Sequence, residues 1–222
     1  MLQQILSQIY PLDKYNIIVA NGQFPSHPFL LGLIKNAKML ICCDGAIHKL
    51  SSHHITPDYI VGDCDSLQTL EDGILNDRII KLTDQNTNDL TKAVDFACMQ
   101  LKLDNLIILG ATGLREDHTI ANIALLAEYI NKVNEVSIIS EYGIFTIHSK
   151  STKLSTINGQ QVSFFTLDHE SSISCKDLKW QLKNHKFCKW YQGTLNEAIA
   201  NSINVEIIGT VIVYRTFEIK NI

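Results

Sequence analysis

Hydrophobic and polar positions alternate between two styles along the chain. In the first, short apolar runs at 16–20, 39–43, 59–61, 78–82, 106–109 and 136–139 are each followed by a polar or glycine-bearing turn and then a helical segment. The runs are nearly continuous in hydrophobicity rather than alternating. That is the pattern of strands covered on both faces, and it predicts a parallel sheet with crossover helices. Leu90, Ala93, Val94, Ala97 and Leu101 recur at helical spacing after one run, and Ile120, Ile123, Ala124, Ala127 and Ile130 after another. Both sets are expected to face the core.

Near residue 143 the style changes. Stretches 144–148, 161–167, 187–192, 205–208 and 210–217 alternate or are rich in β-forming residues, with no helical pattern between them. Regular short strands with turns predict a small antiparallel sandwich. The expected fold class is α/β: a parallel-sheet Rossmann-like N-terminal domain over 1–143, followed by a small all-β sandwich domain over 144–222.

Composition narrows the function classes. The chain has 222 residues, 45% of them hydrophobic, enough for a sizeable core. A formal net charge of -4 disfavours a polyanion-binding surface, so no nucleic-acid partner is expected. No stretch is long and apolar enough to span a bilayer, and no membrane partner is expected. The first ten residues lack a basic flank and run into Pro11 and Asp13, which reads as a helix of the folded protein rather than a signal peptide. The six cysteines have no Cys-x-x-Cys spacing, so a reduced, cytoplasmic setting is expected. Cys42 and Cys43 lie in an apolar run and read as small buried hydrophobes.

Candidate chemistry collects after the runs. Ligands of an open parallel sheet bind beyond the carboxyl ends of its strands. The successive turns carry Asn21-Gly22, Asp44-Gly45-Ala46, Gly62-Asp63-Cys64-Asp65-Ser66, the segment from Asp84-Gln85 to Asn88-Asp89, and Gly110-Ala111-Thr112-Gly113 with Arg115, Asp117 and His118. Asp63 and Asp65 are two apart on an extended segment, so both carboxylates point the same way and reach one hard cation. Gly62 would let a ligand approach the backbone, and Cys64 would point away into the fold. Asp44, Asp63, Asp65 and Asp89 are all oxygen donors, which suits Mg²⁺ rather than Zn²⁺. Thr87 or Asn88 is expected to cap the helix that begins near Asp89. Asp89 reads both as a first-turn acid favoured by the helix dipole and as a metal or phosphate-adjacent ligand. The glycines at 110 and 113 read as a tight turn or as room for phosphate, with Arg115 as a cationic clamp. His118 reads as structural or as an acid–base group. The chain has neither a Walker-type phosphate loop nor a dinucleotide fingerprint.

Taken in order, Asp44-Gly45-Ala46, the segment from Pro57-Asp58 through Asp65-Ser66, Asp84-Gln85 through Asn88-Asp89-Leu90, and Gly110 through Asp117-His118 with Ala121-Asn122 resemble the thiamine pyrophosphokinase family. The resemblance runs across the whole chain. It implies an ATP-binding catalytic domain over 1–143 and a thiamine-binding sandwich over 144–222. It also implies transfer of diphosphate from ATP to the hydroxyl of thiamine, giving AMP and thiamine diphosphate, in a homodimer with intersubunit active sites. Asp63, Asp65 and Asp89 would hold Mg²⁺ with ATP as co-substrate, Asp44 would lie by the transferred group, and Gln85 near thiamine and phosphates. Asn88, Arg115 and Asp117, with His118 beside them, would contact the nucleotide.

Leu178-Lys179-Trp180-Gln181-Leu182 resembles the segment whose aromatic ring stacks on the thiamine pyrimidine. The segment from Gly193 to Glu197 resembles a Gly-x-Ser-Asn-Glu turn, which makes Thr194 and Asn196 thiamine contacts. Leu195 stands where that turn has Ser, leaving the hydroxyl contact to Thr194. Asn88 stands where the family often has Thr, and His48 where it often has Asn. Two other readings use the same residues: a Mg²⁺-dependent phosphohydrolase, and a non-catalytic nucleotide- or thiamine-binding module.

Overall fold

A computed structural model describes residue 6 and residues 15–63 and 77–219; Cys64, Asp65 and Ser66 lie outside the described residues. The chain divides into two compact units, Asp13–Ser140 and Glu141–Ile222, and Leu6 groups with the second.

In the first unit the chain runs β1 (Asn16–Val19), α1 (Pro28–Lys35), β2 (Met39–Cys43), α2 (Ile47–Ser52), β3 (Tyr59–Gly62), β4 (Ile79–Lys81) and α3 (Asp89–Asp95), then β5 (Asn105–Leu109), α4 (Glu116–Ala124), α5 (Leu126–Tyr129) and β6 (Glu135–Ile139). The strands lie in the order β6-β5-β1-β2-β3-β4, all parallel. β1, β2, β5 and β6 are buried at nearly every position, as continuous apolar runs require when both faces are covered. β4, at the edge, is partly exposed. The chain lays strands outward from β1 to β4, then returns to put β5 on the other side of β1. The connections that follow β1 and β5 therefore lead away to opposite sides of β1, and a crevice forms at the carboxyl edge where the order reverses.

Local signals set the helices. Pro28 starts α1, whose first turn is capped by His27 Nδ1 accepting from the Phe29 N–H at 3.1 Å. Asn88 caps α3: its Oδ1 accepts from the Thr91 N–H at 2.8 Å, and Asp89 follows in the first turn. Leu90, Ala93, Val94 and Ala97 are buried from this segment, as their spacing predicts.

The second predicted stripe departs from expectation. α4 buries none of its residues and leaves Ile120 53% exposed, while Ile123, Ala124, Ala127 and Ile130 are only half-buried. The spacing assumed one uninterrupted helix. The helix instead breaks at Leu125, so the core positions move to Leu126, Tyr129 and Val133.

The second unit holds β7 (Gly143–His148), β8 (Thr152–Ser155), β9 (Gln160–Thr166), β10 (Ser172–Cys175), β11 (Leu182–Lys186), β12 (Asn196–Glu197), β13 (Ser202–Ile208) and β14 (Val211–Ile219). Its strands form two antiparallel layers, β12-β9-β14-β7 and β11-β10-β13-β8. Val162, Phe164, Val211 and Val213 from one layer meet Leu154, Ile173, Ile203, Val205 and Ile207 from the other in a common core. β13 alternates strictly, with Ile203, Val205 and Ile207 inward and Asn204, Glu206 and Ile208 outward. Buried Arg215 on β14 donates from Nη1 to the Ser155 carbonyl at 2.8 Å and so ties the layers together.

The strand expected over 187–192 is not formed. β11 precedes it, Phe187 drops into the core, and Trp190–Gly193 makes a 3₁₀ turn. A Cβ on Gly193 would collide with the Phe164 carbonyl oxygen, so only glycine lets that turn press onto β9.

Candidate active site

A cavity of about 490 Å³ lies within the first unit, at the carboxyl edge of its sheet. Asn21 and Gly22 after β1, Cys43 at the end of β2 and Asp63 after β3 form part of its wall. The β4–α3 connection adds Gln85, Thr87, Asn88 and Asp89, and α3 adds Lys92. Gly113, Leu114 and Arg115 after β5, with His118 and Asn122 of α4, complete it. Six of the predicted site residues are thus brought together: Asp63, Gln85, Asn88, Asp89, Arg115 and His118. Asp44 and Asp117 adjoin the same loops without entering the wall, and Asp65 is outside the described residues.

Backbone-to-backbone packing fixes the crevice. The Gly22 N–H donates to the Gly110 carbonyl at 2.6 Å and the Gln23 N–H to the Thr112 carbonyl at 2.8 Å. Gly110 has φ +67°, and a Cβ there would sit 2.6 Å from the Ala20 oxygen. Lys49 Nζ donates to the Asn21 and Gly22 carbonyls at 3.0 and 2.6 Å, holding the first loop from below. Burial lowers the Lys49 pKa. Gly62 departs from expectation: a Cβ on it would lie 2.6 Å from the Asp44 Cβ. Its missing side chain makes room for Asp44 rather than for an incoming ligand.

The charges are unevenly placed. Asp44 is 2% exposed and its Oδ1 has no hydrogen-bond partner among the described residues. Lys92 is 5% exposed, with Nζ 3.1 Å from Asp89 Oδ1. Burial pushes the Cys43 thiol far up; the charges of Asp89 and Asp44 push the same way and Lys92 opposes them. Two carboxylates and one ammonium therefore act on a single buried sulfur. At the rim, Arg115 grips Asp117 by Nε–Oδ1 at 3.1 Å and Nη2–Oδ2 at 2.6 Å. Those bonds hold the Asp117 carboxyl down at about 2. Both groups are exposed, so the pair orients the guanidinium more than it stabilises the fold.

Asp84 shapes the β4–α3 loop by accepting from the Asn86 N–H at 3.1 Å and the Thr87 hydroxyl at 3.2 Å, and the Asn86 bond leads in lowering its pKa. Asn122 ties the two sides: it accepts from Asn88 Nδ2 at 3.3 Å and donates to the Ala111 carbonyl at 2.8 Å.

The donor set fits a hard cation. Asp63 and Asp89 line the cavity, and Asp44 Oδ1 is a buried acceptor without a partner among the described residues. Among the described residues no three His, Cys, Asp or Glu side chains gather into a metal group. Mg²⁺ is served by one or two carboxylates, with water and phosphate filling the rest of its shell. Lys49, Lys92 and Leu114 were not anticipated from the sequence. Lys92 had one signal, its i+3 spacing from Asp89; Leu114, at φ +63° and exposed, had none.

The remaining predicted residues belong to the second unit. Trp180 is 57% exposed, so it is not part of the sandwich core. Asn196 is buried and holds the Trp180 backbone, accepting its N–H at 3.2 Å and donating to its carbonyl at 2.8 Å. Lys179 Nζ sits 5.4 Å from the Trp180 ring centroid and bonds Glu197 Oε2 at 3.1 Å. The Thr194 hydroxyl donates to the Tyr191 carbonyl at 2.8 Å, and Leu195 is exposed at φ +63°. A leucine held in the left-handed region is strained, and such residues cluster at functional sites.

Comparison with known proteins follows the two units. The family described as thiamin pyrophosphokinase, catalytic domain, matches residues 30–139, and that described as thiamin pyrophosphokinase, substrate-binding domain, matches residues 143–214. Thiamin pyrophosphokinase 1 of Caenorhabditis elegans is 24% identical over 165 residues, covering 68% of this chain and 68% of that protein. Thiamine pyrophosphokinase 2 of Oryza sativa subsp. japonica is 27% identical over 206 residues, covering 79% and 76%. Among solved structures, thiamin pyrophosphokinase from Candida albicans superposes with a TM-score of 0.76 at 19% identity, covering 93% of this chain and 90% of that one. Thiamine pyrophosphokinase from Bacillus subtilis gives 0.75 at 23% identity, covering 93% and 100%. These two superpositions speak for the fold alone.

Proposed function

The chain belongs to the thiamin pyrophosphokinase family of diphosphotransferases, and from that premise we propose how its residues divide the work. In this reading residues 1–143 are the ATP-binding catalytic domain and residues 144–222 the thiamine-binding domain. The thiamine hydroxyl attacks the β-phosphorus of ATP, the bond from that phosphorus to the α,β-bridging oxygen breaks, and AMP leaves with the oxygen. Asp63 and Asp89, with Asp65, hold Mg²⁺, which when bound neutralises charge on the phosphates. Gln85 and Asn88 orient the phosphates. Arg115, aimed by Asp117, clamps the nucleotide at the rim beside His118. Asp44 is assigned the hydroxyl proton or, given its burial, the electrostatic support of that transfer. Little covalent chemistry falls to the protein, so positioning and charge neutralisation carry the rate.

The observation that carries this reading is the single cavity wall in which Asp63, Asp89, Lys92 and Arg115 meet at the strand-order reversal. In the second unit, the exposed Trp180 ring suits stacking on a flat cationic ligand. Asn196 acts through the Trp180 backbone, and Thr194 supplies the hydroxyl of its turn. We further propose a homodimer with intersubunit active sites, supported by the unburied apolar side chain of Ile120 on α4. A reducing, cytoplasmic setting is supported by the buried free thiols Cys42, Cys43 and Cys175.

Protein mixed with Mg²⁺-ATP and thiamine is expected to release thiamine diphosphate and AMP in equal amounts. Orthophosphate released without thiamine would favour the phosphohydrolase, and nucleotide binding with no product would favour the binding module; the family match favours neither. A monomeric mass at working concentration would contradict the dimer.

A further inference from the structure

We propose that Lys92 is the residue that grips the transferred diphosphate, and that Asp89 holds it in store until metal and nucleotide arrive. This rests on reading the cavity as the ATP site. Lys92 lies on α3 in the cavity wall at 5% exposure. Its ammonium carries three donors, and its one hydrogen bond among the described residues is to Asp89 Oδ1 at 3.1 Å. A buried ammonium with a single partner is costly to keep unless another anion completes its shell. A hydrocarbon side chain would fill the same space on α3 without that cost. The nearby sulfur of Cys43 is a weak acceptor held in its neutral form by burial, so it does not complete the shell.

The second observation is where the pair sits. Asp89 is both the partner of Lys92 and, with Asp63, one of the two acids of the cavity wall assigned above to the cation. With the Asp89 oxygen given over to a divalent cation, Lys92 would lose its one ionic partner among the described residues, and phosphate oxygens entering the same space would replace it. The exchange leaves the ammonium beside the phosphates nearest the metal. Arg115 stands apart from this exchange, exposed at the rim and paired with Asp117. The two cations thus serve different ends of the nucleotide: Lys92 the diphosphate to be moved, Arg115 the part that remains.

The test is nucleotide binding by calorimetry, without thiamine, for wild type, Lys92→Met and Lys92→Arg. Lys92→Met is expected to weaken Mg²⁺-ATP at least 30-fold and to leave AMP within twofold, with Lys92→Arg intermediate. With thiamine present, kcat should fall at least 100-fold while the thiamine KM stays within twofold. Mg²⁺-ATP binding within threefold of wild type, or equal weakening of ATP and AMP, would overturn the proposal in favour of a structural lysine. Should Lys92→Met fail to fold, Asp89→Asn in excess EDTA keeps the question open to measurement. Freed from its carboxylate, Lys92 should then bind metal-free ATP several-fold tighter than wild type does, and unchanged or weaker binding contradicts the exchange. A wild-type protein that binds Mg²⁺-ATP but forms no thiamine diphosphate defeats the proposed reaction while leaving the binding arm of this test intact.

Discussion

Among the described residues of the Asp13–Ser140 unit two charged side chains, Asp44 and Lys92, are almost wholly buried at or beside the cavity, whereas in the Glu141–Ile222 unit the one buried charge, Arg215, is spent inside the sandwich and four large aromatic side chains, Tyr142, Trp180, Trp190 and Tyr191, stand more than half exposed. The contrast follows from the sheets. A parallel sheet covered on both faces leaves its polar groups one way out, at the strand ends, where neighbouring loops crowd them against each other. A sandwich has an inner layer for its apolar residues and an outer surface where rings can be displayed. The first arrangement suits phosphate and metal, for which buried charge is strong. The second suits a flat organic cation.

Three substitutions or conditions probe this contrast. The largest effect belongs to the sandwich core: Phe164, fully buried between the layers, should cost about 3–5 kcal/mol on truncation to alanine. Denaturant unfolding measures it, and a loss under about 1 kcal/mol would mean the layers do not pack on that ring. Next is Asp63→Asn, expected to slow turnover at least 100-fold, about 3 kcal/mol of barrier. Its unfolding free energy should stay within about 1 kcal/mol of wild type, because Asp63 lies on the cavity wall and not in the core. AMP formation near the wild-type rate would remove Asp63 from the metal.

The third is acidity. Burial first, and the Arg215 charge second, lower the His148 pKa from 6.5 to about 4 in the folded protein. Between those values the unfolded chain binds a proton that the folded chain refuses. Stability is therefore full above pH 6.5 and is lost as pH falls towards 4, by at most about 3 kcal/mol. Melting curves across that window should show the slope, and His148→Gln should flatten it. A slope unchanged in that variant would assign it to other groups.

How far the sequence could be read depended on what each residue type reports. The parallel strands were legible to within a residue or two, because continuous apolar runs have few other uses. β8, β10 and β11 were not: TKLS buries only Leu154, SISC buries three positions of which two are the small Ser172 and Cys175, and LKNHK buries none, so each looks like loop. The segment over 187–192 was mistaken for a strand since Phe187 alone is inward while its apolar neighbours Trp190 and Tyr191 face solvent. At the site, Asp63 and Asp89 were legible because they follow strand and cap. Lys92 was not, because an i+3 partner of an acid usually marks a solvated helix face. Asn196 could be matched to a motif, but its grip on the Trp180 backbone exists only after β12 pairs with β9.

The division of labour between the two units is tested most directly by the separate KM values of Trp180→Ala. The account predicts that the thiamine KM rises about tenfold, roughly 1.4 kcal/mol, while the ATP KM stays within twofold. An unchanged thiamine KM, or an equal rise for ATP, would contradict it.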